Sequence, residues 1–359
     1  VAGSGRYLVA AGGTGGHIFP GIAVADALRA RDASARVVFV GTERGLESRL
    51  VPRAGYALEL LPVLPLNGVG LARALRGLLA LPRAFWRAAA LLRRERPAAV
   101  LGVGGYAGGP IVLAAALSGV RTVILEPNAR PGFTNRVLRP FVARAACAFD
   151  SARRYYGARG VLTGNPVRGG FARIAPREPR APFTLLVFGG SQGSRALNEA
   201  MVAALSSLPP AAELHIVHQT GPAAHAEVAA AYAAARREAE VAPFLDDMEA
   251  QLAAADLVLC RAGATTCAEL CAAGRAAVLV PLPGAADDHQ RENACAMQRA
   301  GAARMLAQAE LDGARLASEL RTLFADPAAL AQMGKAARGL ARADAAERVA
   351  ALLRGEEAA

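Results

Sequence analysis

Twice in this chain a short, uncharged, strand-like run ends in a glycine-rich turn that opens straight into a helical pattern. Tyr7–Ala11 leads into Gly12-Gly13-Thr14-Gly15-Gly16, and Thr184–Phe188 leads into Gly189-Gly190-Ser191-Gln192-Gly193. Short unbroken apolar runs suit strands buried on both faces, as in parallel sheets covered by helices. Val37–Val40, Ala99–Leu101 and Thr122–Leu125 follow the first run; Leu214–Val217, Leu257–Leu259 and Ala277–Val280 follow the second. The same alternation on both sides of a Pro/Arg stretch, Pro176–Pro182, predicts an α/β protein of two Rossmann-like domains. The expected division is 1–164 and 165–340, with the helical stretch 341–359 packing back on the first domain. Sheets of this kind bind ligands beyond the carboxyl ends of their strands, so a cleft between the domains is the expected site.

Composition removes several enzyme classes. All but one of the 41 basic residues are arginine, and the single lysine, Lys335, lies in an Ala-rich helical tail. A P-loop nucleotidase needs a lysine directly after its loop, and a Schiff-base enzyme needs one in its pocket. Neither class fits. The dinucleotide fingerprint G-x-G-x-x-G also fails, because counting from Gly13 its last position is Ile18. The net charge of +11 suits an anionic partner. A nucleic-acid-binding role leaves the strand-end glycine loops unexplained, so no nucleic acid is expected.

The five cysteines form no C-x-x-C pair and have no histidine at zinc spacing, which points to a reducing compartment. Cys267 and Cys271 read as small apolar packing residues. Asp246-Asp247 and Asp287-Asp288 read as turn and helix-start residues, so no metal is expected. Pro97–Val120 carries no charge and is long enough to span a bilayer, but Gly102, Gly104, Gly105, Gly108, Gly109 and Pro110 interrupt it. It reads as strand, glycine loop and helix.

Glycine loops entering helices present backbone N–H groups and a positive dipole end, which suits phosphate. They equally permit close packing with no ligand. The Gly102–Pro110 loop is open to the same two readings. Thr266-x-x-Glu269 fits a helix capping box; alternatively this helix start cradles a diphosphate and Glu269 turns toward a ribose diol. Gln290 and Asn293 suit sugar hydroxyls, or simply a solvated loop. Between Leu71 and Trp86, Leu75 and Leu79 recur at helical spacing, Arg73, Arg76, Arg83 and Arg87 flank them, and Phe85 and Trp86 close the run. That pattern suits a core-facing helix or docking on an anionic lipid surface.

In order, the chain carries Gly12–His17, Gly104-Gly105-Tyr106, Gly164-Asn165-Pro166-Val167-Arg168, Gly189–Gly193, Arg261–Glu269 and the Gln290/Asn293 segment. This ordered set resembles the MurG family, the UDP-N-acetylglucosamine:lipid I N-acetylglucosaminyltransferases of bacterial cell-wall synthesis. The likeness runs from about Tyr7 to the Ala343–Val349 tail. It implies a GT-B fold and an inverting transferase without a cofactor. GlcNAc would pass from UDP-GlcNAc to the MurNAc 4-hydroxyl of undecaprenyl-diphosphoryl-MurNAc-pentapeptide (lipid I), making lipid II. The alternative is another GT-B nucleotide-sugar transferase with a different lipid or glycan acceptor. The resemblance also implies peripheral attachment at the cytoplasmic face of the bacterial plasma membrane, with cell-wall synthesis and division proteins as partners.

By the same resemblance, Arg168 and Ser191 would bind the donor diphosphate and Leu245 the uracil through its backbone. Ala264, Thr265 and Thr266 would hold phosphate and sugar, Glu269 the ribose, and Gln290 and Asn293 the GlcNAc hydroxyls. Thr14, Gly15, Gly16 and Asn128 would contact the donor UDP-GlcNAc and, with Tyr106, receive the acceptor's diphosphate and sugar, and Gly104, Gly105, Tyr106 and Asn135 would bind the acceptor. Inverting transfer needs a base for the acceptor hydroxyl; His17 is the candidate and Glu126 the second choice. Where the family has His-Glu-Gln-Asn, this chain has Leu125-Glu126-Pro127-Asn128.

Overall fold

The structure, a computed structural model, describes residues 5–12, 15–42, 45–63, 71–105 and 108–356, without the side chains of 71–79 and of Ala286. The chain divides into two compact units, 1–169 with 342–359, and 170–341.

The first unit is built on seven parallel strands. They are β1 (Arg6–Ala11), β2 (Arg36–Gly41), β3 (Ala57–Leu60), β4 (Ala99–Gly104), β5 (Arg121–Glu126), β6 (Arg144–Cys147) and β7 (Gly160–Leu162). Their order in the sheet is β3-β2-β1-β4-β5-β6-β7. Side chains alternate across the sheet, so each strand feeds two cores. Val9, Phe39, Leu101 and Val123 face the helices Gly15–Arg31 and Ala345–Arg354, meeting Ile18, Val24, Leu28, Val349 and Leu352. Leu8, Val38, Val100 and Ile124 face the opposite way, onto Leu91 and Leu92 of helix Leu71–Glu95 and Ile111 of helix Gly108–Leu117. Helix Ala345–Arg354 is locked to the strands by Arg121, whose Nε donates to the Leu352 carbonyl at 2.8 Å.

The second unit has six parallel strands: β8 (Phe183–Phe188), β9 (Leu214–Gln219), β10 (Glu240–Ala242), β11 (Leu257–Cys260), β12 (Ala276–Leu279) and β13 (Ala303–Met305). Their order is β10-β9-β8-β11-β12-β13. Leu185, Val187, Leu214, Ile216, Leu257, Leu259 and Val278 form its main core with Leu197 and Met201 of helix Arg195–Ala204. Asp256, just before β11, fixes the Pro/Arg stretch. Its carboxylate takes Arg177 Nε at 2.5 Å and Nη2 at 3.1 Å, and Thr184 N at 2.8 Å. With its partner's side chain wholly buried, this pair docks the stretch onto the sheet rather than leaving it as a free linker.

The division falls at 169/170, five residues beyond the position read from sequence. Among the intervening residues Arg168 shows the attachment to the first unit: its guanidinium lies 5.0 Å from the Phe19 ring centre. The uncharged stretch 97–120 resolves into β4 and helix Gly108–Leu117. Among the described residues no helix is long and apolar enough to cross a membrane.

Candidate active site

In the second unit, groups from five loops gather at the carboxyl ends of the strands. After β8 the chain turns through Gly190 (φ +96°) and Gly193 (φ +75°), and Gly193 N donates to Gly190 O at 2.8 Å. Ser194 caps helix Arg195–Ala204, while Ser191 stays exposed at the top of the turn. A Cβ on Gly193 would overlap the Thr220 carbonyl oxygen, and one on Gly221 would overlap that of Gln192. Two backbones therefore cross here at a distance only glycine allows.

Helix Ala264–Ala273 begins after β11. Its N-cap is Gly263, which lends no side-chain hydrogen bond, and its first turn has no acidic residue. The capping-box reading of Thr266 and Glu269 is therefore wrong: Thr266 lies inside the first turn and Glu269 almost a turn further on. A box needs the threonine at the cap itself. A helix start with no anionic side chain of its own suits a phosphate. Ala264, Thr265, Thr266 and Glu269 are all half-buried along that start.

Gln290 and Asn293 act as staples between these loops. Gln290 Oε1 accepts from Leu282 N at 3.0 Å, and buried Asn293 donates from Nδ2 to Ala262 O at 3.2 Å. Arg261 adds a third tie, from Nη1 to the Val280 and Pro281 carbonyls and from Nη2 to Gln308 Oε1 at 2.7 Å. Of the carboxylate pairs, Asp247 caps helix Met248–Ala254, whereas Asp287 and Asp288 turn through left-handed backbone without capping. Among the described residues no three His, Cys, Asp or Glu side chains are grouped as a metal site requires.

Sequence reading overlooked the polar end of β9. His218 is fully buried, with Nδ1 3.0 Å from Tyr232 Oη and Nε2 3.1 Å from Asn198 Oδ1. Asn198 Nδ2 donates to Thr220 O, which orients its amide, so Nε2 carries the histidine proton and the tyrosine hydroxyl donates to Nδ1. Burial lowers the His218 pKa to about 4, keeping the ring neutral. Next in sequence, buried Gln219 donates from Nε2 to Gly190 O at 2.8 Å and accepts at Oε1 from Leu245 N at 3.1 Å. Leu245 is buried and its N–H is thus spent inside the protein. Polar residues at the carboxyl end of an apolar strand were the signal that could have revealed this cluster.

In the first unit, helix Gly15–Arg31 starts after β1, and His17 Nδ1 lies 3.2 Å from Gly12 O. A Cβ on Gly104 would stand 2.8 Å from His17 Cδ2 and 2.9 Å from Nε2, and one on Gly105 would overlap the Gly12 carbonyl. Both glycines have positive φ, +117° and +78°. Gly104 and Gly105 are required by packing of the β4 loop on the β1 loop and on the histidine ring. Gly15 and Gly16 open the helix, half-buried, and Arg168 is exposed over Phe19.

Two acceptor-side assignments change. Glu126, 1% exposed, accepts from Asn128 N (3.1 Å), Asn128 Nδ2 (3.3 Å), Gly132 N (3.1 Å) and Asn135 Nδ2 (2.9 Å). Burial pushes its pKa up, opposed by the hydrogen bonds from Asn135, Asn128 and Gly132. Both its oxygens are occupied in shaping the 126–135 loop, which leaves it no path to act as a base. Asn135 is buried too and spends Nδ2 on Glu126 and on Leu125 O at 3.0 Å, so it organises the loop instead of facing an acceptor. Asn128 is half-buried at the loop's start.

Thr14 and Tyr106 lie outside the described residues. Leu75 and Leu79 belong to helix Leu71–Glu95, but their side chains lie outside the description. Later in that helix Trp86 is 69% exposed, whereas Phe85 is half-buried and packs against the first unit's core.

Comparison with known proteins covers both units. Residues 7–147 match the glycosyltransferase family 28 N-terminal domain and residues 184–349 the glycosyltransferase family 28 C-terminal domain. A Myxococcus xanthus protein named UDP-N-acetylglucosamine–N-acetylmuramyl-(pentapeptide) pyrophosphoryl-undecaprenol N-acetylglucosamine transferase is 48% identical over 351 residues, 96% of this chain and 91% of its own length. A Sorangium cellulosum protein of the same name is 49% identical, over 96% of this chain and 86% of its own. Among solved structures, Acinetobacter baumannii MurG superposes with a TM-score of 0.81 at 33% identity, covering 98% of this chain and 99% of that one. The fold is accordingly GT-B, and the chain belongs to glycosyltransferase family 28.

Proposed function

We propose that this protein transfers GlcNAc from UDP-GlcNAc to the MurNAc 4-hydroxyl of lipid I, with inversion, to give lipid II for peptidoglycan. The observation that carries the reading is near-50% identity, over almost the whole chain, to relatives named for this transfer. On this reading the donor lies over the second sheet. Its diphosphate meets Ser191 and the start of helix Ala264–Ala273, its ribose Glu269, and its sugar Gln290, with buried Asn293 fixing the Ala262 carbonyl beneath. UDP departs with added negative charge, which the helix start and Arg168 stabilise. His17 accepts the acceptor proton. A carbonyl can only accept a hydrogen bond, so the contact with Gly12 O puts the ring hydrogen on Nδ1 and makes Nε2 the nitrogen that takes the proton. UDP release should be seen with lipid I and not with diacylglycerol; the opposite result would assign another acceptor.

The acceptor's polyprenyl chain calls for a membrane face, and the first unit supplies apolar side chains in solvent. Trp86, Leu117, Phe133, Val137 and Phe141 are exposed on neighbouring elements, with exposed Arg83 and Arg87 beside Trp86. This supports peripheral binding at the cytoplasmic face of the plasma membrane. There, cell-wall synthesis and division proteins are the natural partners. Vesicles containing anionic lipid should retain the protein, less so at high salt, and the Leu75→Ser, Leu79→Ser, Trp86→Ala variant should be released. Equal binding to neutral vesicles would remove the electrostatic component.

A further inference from the structure

We infer that Gln219 is a positioning residue for nucleotide recognition, setting the diphosphate turn and the uracil-reading backbone in register. The inference rests on the placement of the donor at Ser191 and Leu245. β9 lies between β8 and β10 in the sheet, so the side chain at its carboxyl end stands between the loops that follow both neighbours. Gln219 pairs in register with Phe188 of β8 and Ala242 of β10, the last residue of each. From there its amide reaches Gly190 O at 2.8 Å on one side and Leu245 N at 3.1 Å on the other.

The two bonds require opposite polarity. Gly190 O needs a donor and Leu245 N an acceptor, and a carboxamide of this length, in one orientation, serves both. Gly190 O already accepts from Gly193 N, so the second bond fixes the whole turn that displays Ser191. Leu245 N is turned inward by the same amide, which fixes the direction of that backbone and leaves its carbonyl as the group to read the base. The side chain is 2% exposed. It touches no substrate on this reading and acts entirely through the two loops.

The test is nucleotide selectivity in the full-length protein. Uracil read by backbone groups should favour UDP over CDP as an inhibitor, because the two bases differ only in hydrogen-bonding polarity along one edge. Gln219→Met keeps the volume but leaves Gly190 O and Leu245 N short of a partner. It should raise the UDP-GlcNAc KM by about tenfold or more while kcat changes by less than about threefold, and shrink the UDP/CDP ratio toward one. Gln219→Glu retains the acceptor for Leu245 N, loses the donor to Gly190, and should keep more of the ratio than Gln219→Met. It also carries the test if circular dichroism shows the methionine variant to be unfolded. A folded variant with higher KM but an unchanged UDP/CDP ratio would overturn the inference, since a purely structural role would spare selectivity. Absence of a UDP preference in the unmodified protein would instead overturn the donor placement beneath it.

Discussion

The two glycine loops share a pattern but lie differently against their own sheets. In the first unit the β1 loop is packed against the loop after β4, through Gly105 on Gly12 and the His17 ring on Gly104. In the second, the β8 loop is crossed by the loop after β9, through Gly193 and Gly221. β1 and β4 flank the point where strand order reverses, and β8 and β11 flank its counterpart. Such a switch point is where α/β sheets place ligands. The first unit therefore fills its described switch point with protein and a histidine. The second ties its glycine loop to the β9 side, away from the β8/β11 switch point. One motif thus leans on different neighbours in the two units, and on the proposed function that difference separates chemistry in the first from nucleotide binding in the second.

The comparison can be broken most sharply at His17. If the first loop serves chemistry, His17→Ala should lower kcat by about 10²–10⁴-fold while the UDP-GlcNAc Kd moves by less than about threefold. Equal losses in both would place the histidine in donor binding. Next come the paired glycines. Gly193→Ala and Gly105→Ala each push a methyl group into a carbonyl at positive φ, at a cost of about 3 kcal/mol. Isothermal titration should show UDP affinity collapsing in the first and surviving in the second. Collapse in both would mean that the loops share one task.

Glu269→Gln should act more gently. With no capping box to lose, the melting temperature should hold while the donor KM rises about tenfold, the scale of a lost charge-assisted hydrogen bond. A lower melting temperature with unchanged KM would return Glu269 to a structural role. The effect smallest in any one pH unit concerns His218 beneath the second loop. Its native pKa of about 4 lies below the ordinary histidine value, so the unfolded chain binds the extra proton first as pH falls. The stability is fully present above about pH 6.5 and is lost toward pH 4, at about 1 kcal/mol per pH unit. Chemical denaturation across that range should show a slope in the parent protein that His218→Gln flattens.

Interior strands were legible because burial on both faces demands unbroken apolar runs, as in Leu8–Ala11 and Leu185–Phe188. The five strands without such runs are β3, β6, β7, β10 and β13. All but β6 are sheet edges, half-covered and short, and β6 fills its place with Ala145, Ala146 and Cys147. Sites showed the same divide. Loops with glycine at strand ends announced themselves, since few other residues turn so tightly. What Glu126, Asn135 and Gln219 do depends on which neighbours burial brings within hydrogen-bond reach, and those neighbours are set by the order of strands in the sheet. The capping-box reading failed for a related reason, because a cap is defined by where helical backbone begins. Gly263 moved that start three residues ahead of Thr266.

The return of helix Ala345–Arg354 to the first sheet also bears on how the chain is made. Val349, Leu352 and Leu353 complete a core begun by Tyr7 and Val9, so the portion synthesised first lacks a wall until residues 345–354 leave the ribosome. The second unit is continuous from 170 to 341 and needs no later segment. Domains tend to fold as their sequences emerge. Here the order is inverted: the second unit can close while the amino-terminal half still waits for helix Ala345–Arg354 to cover its apolar face.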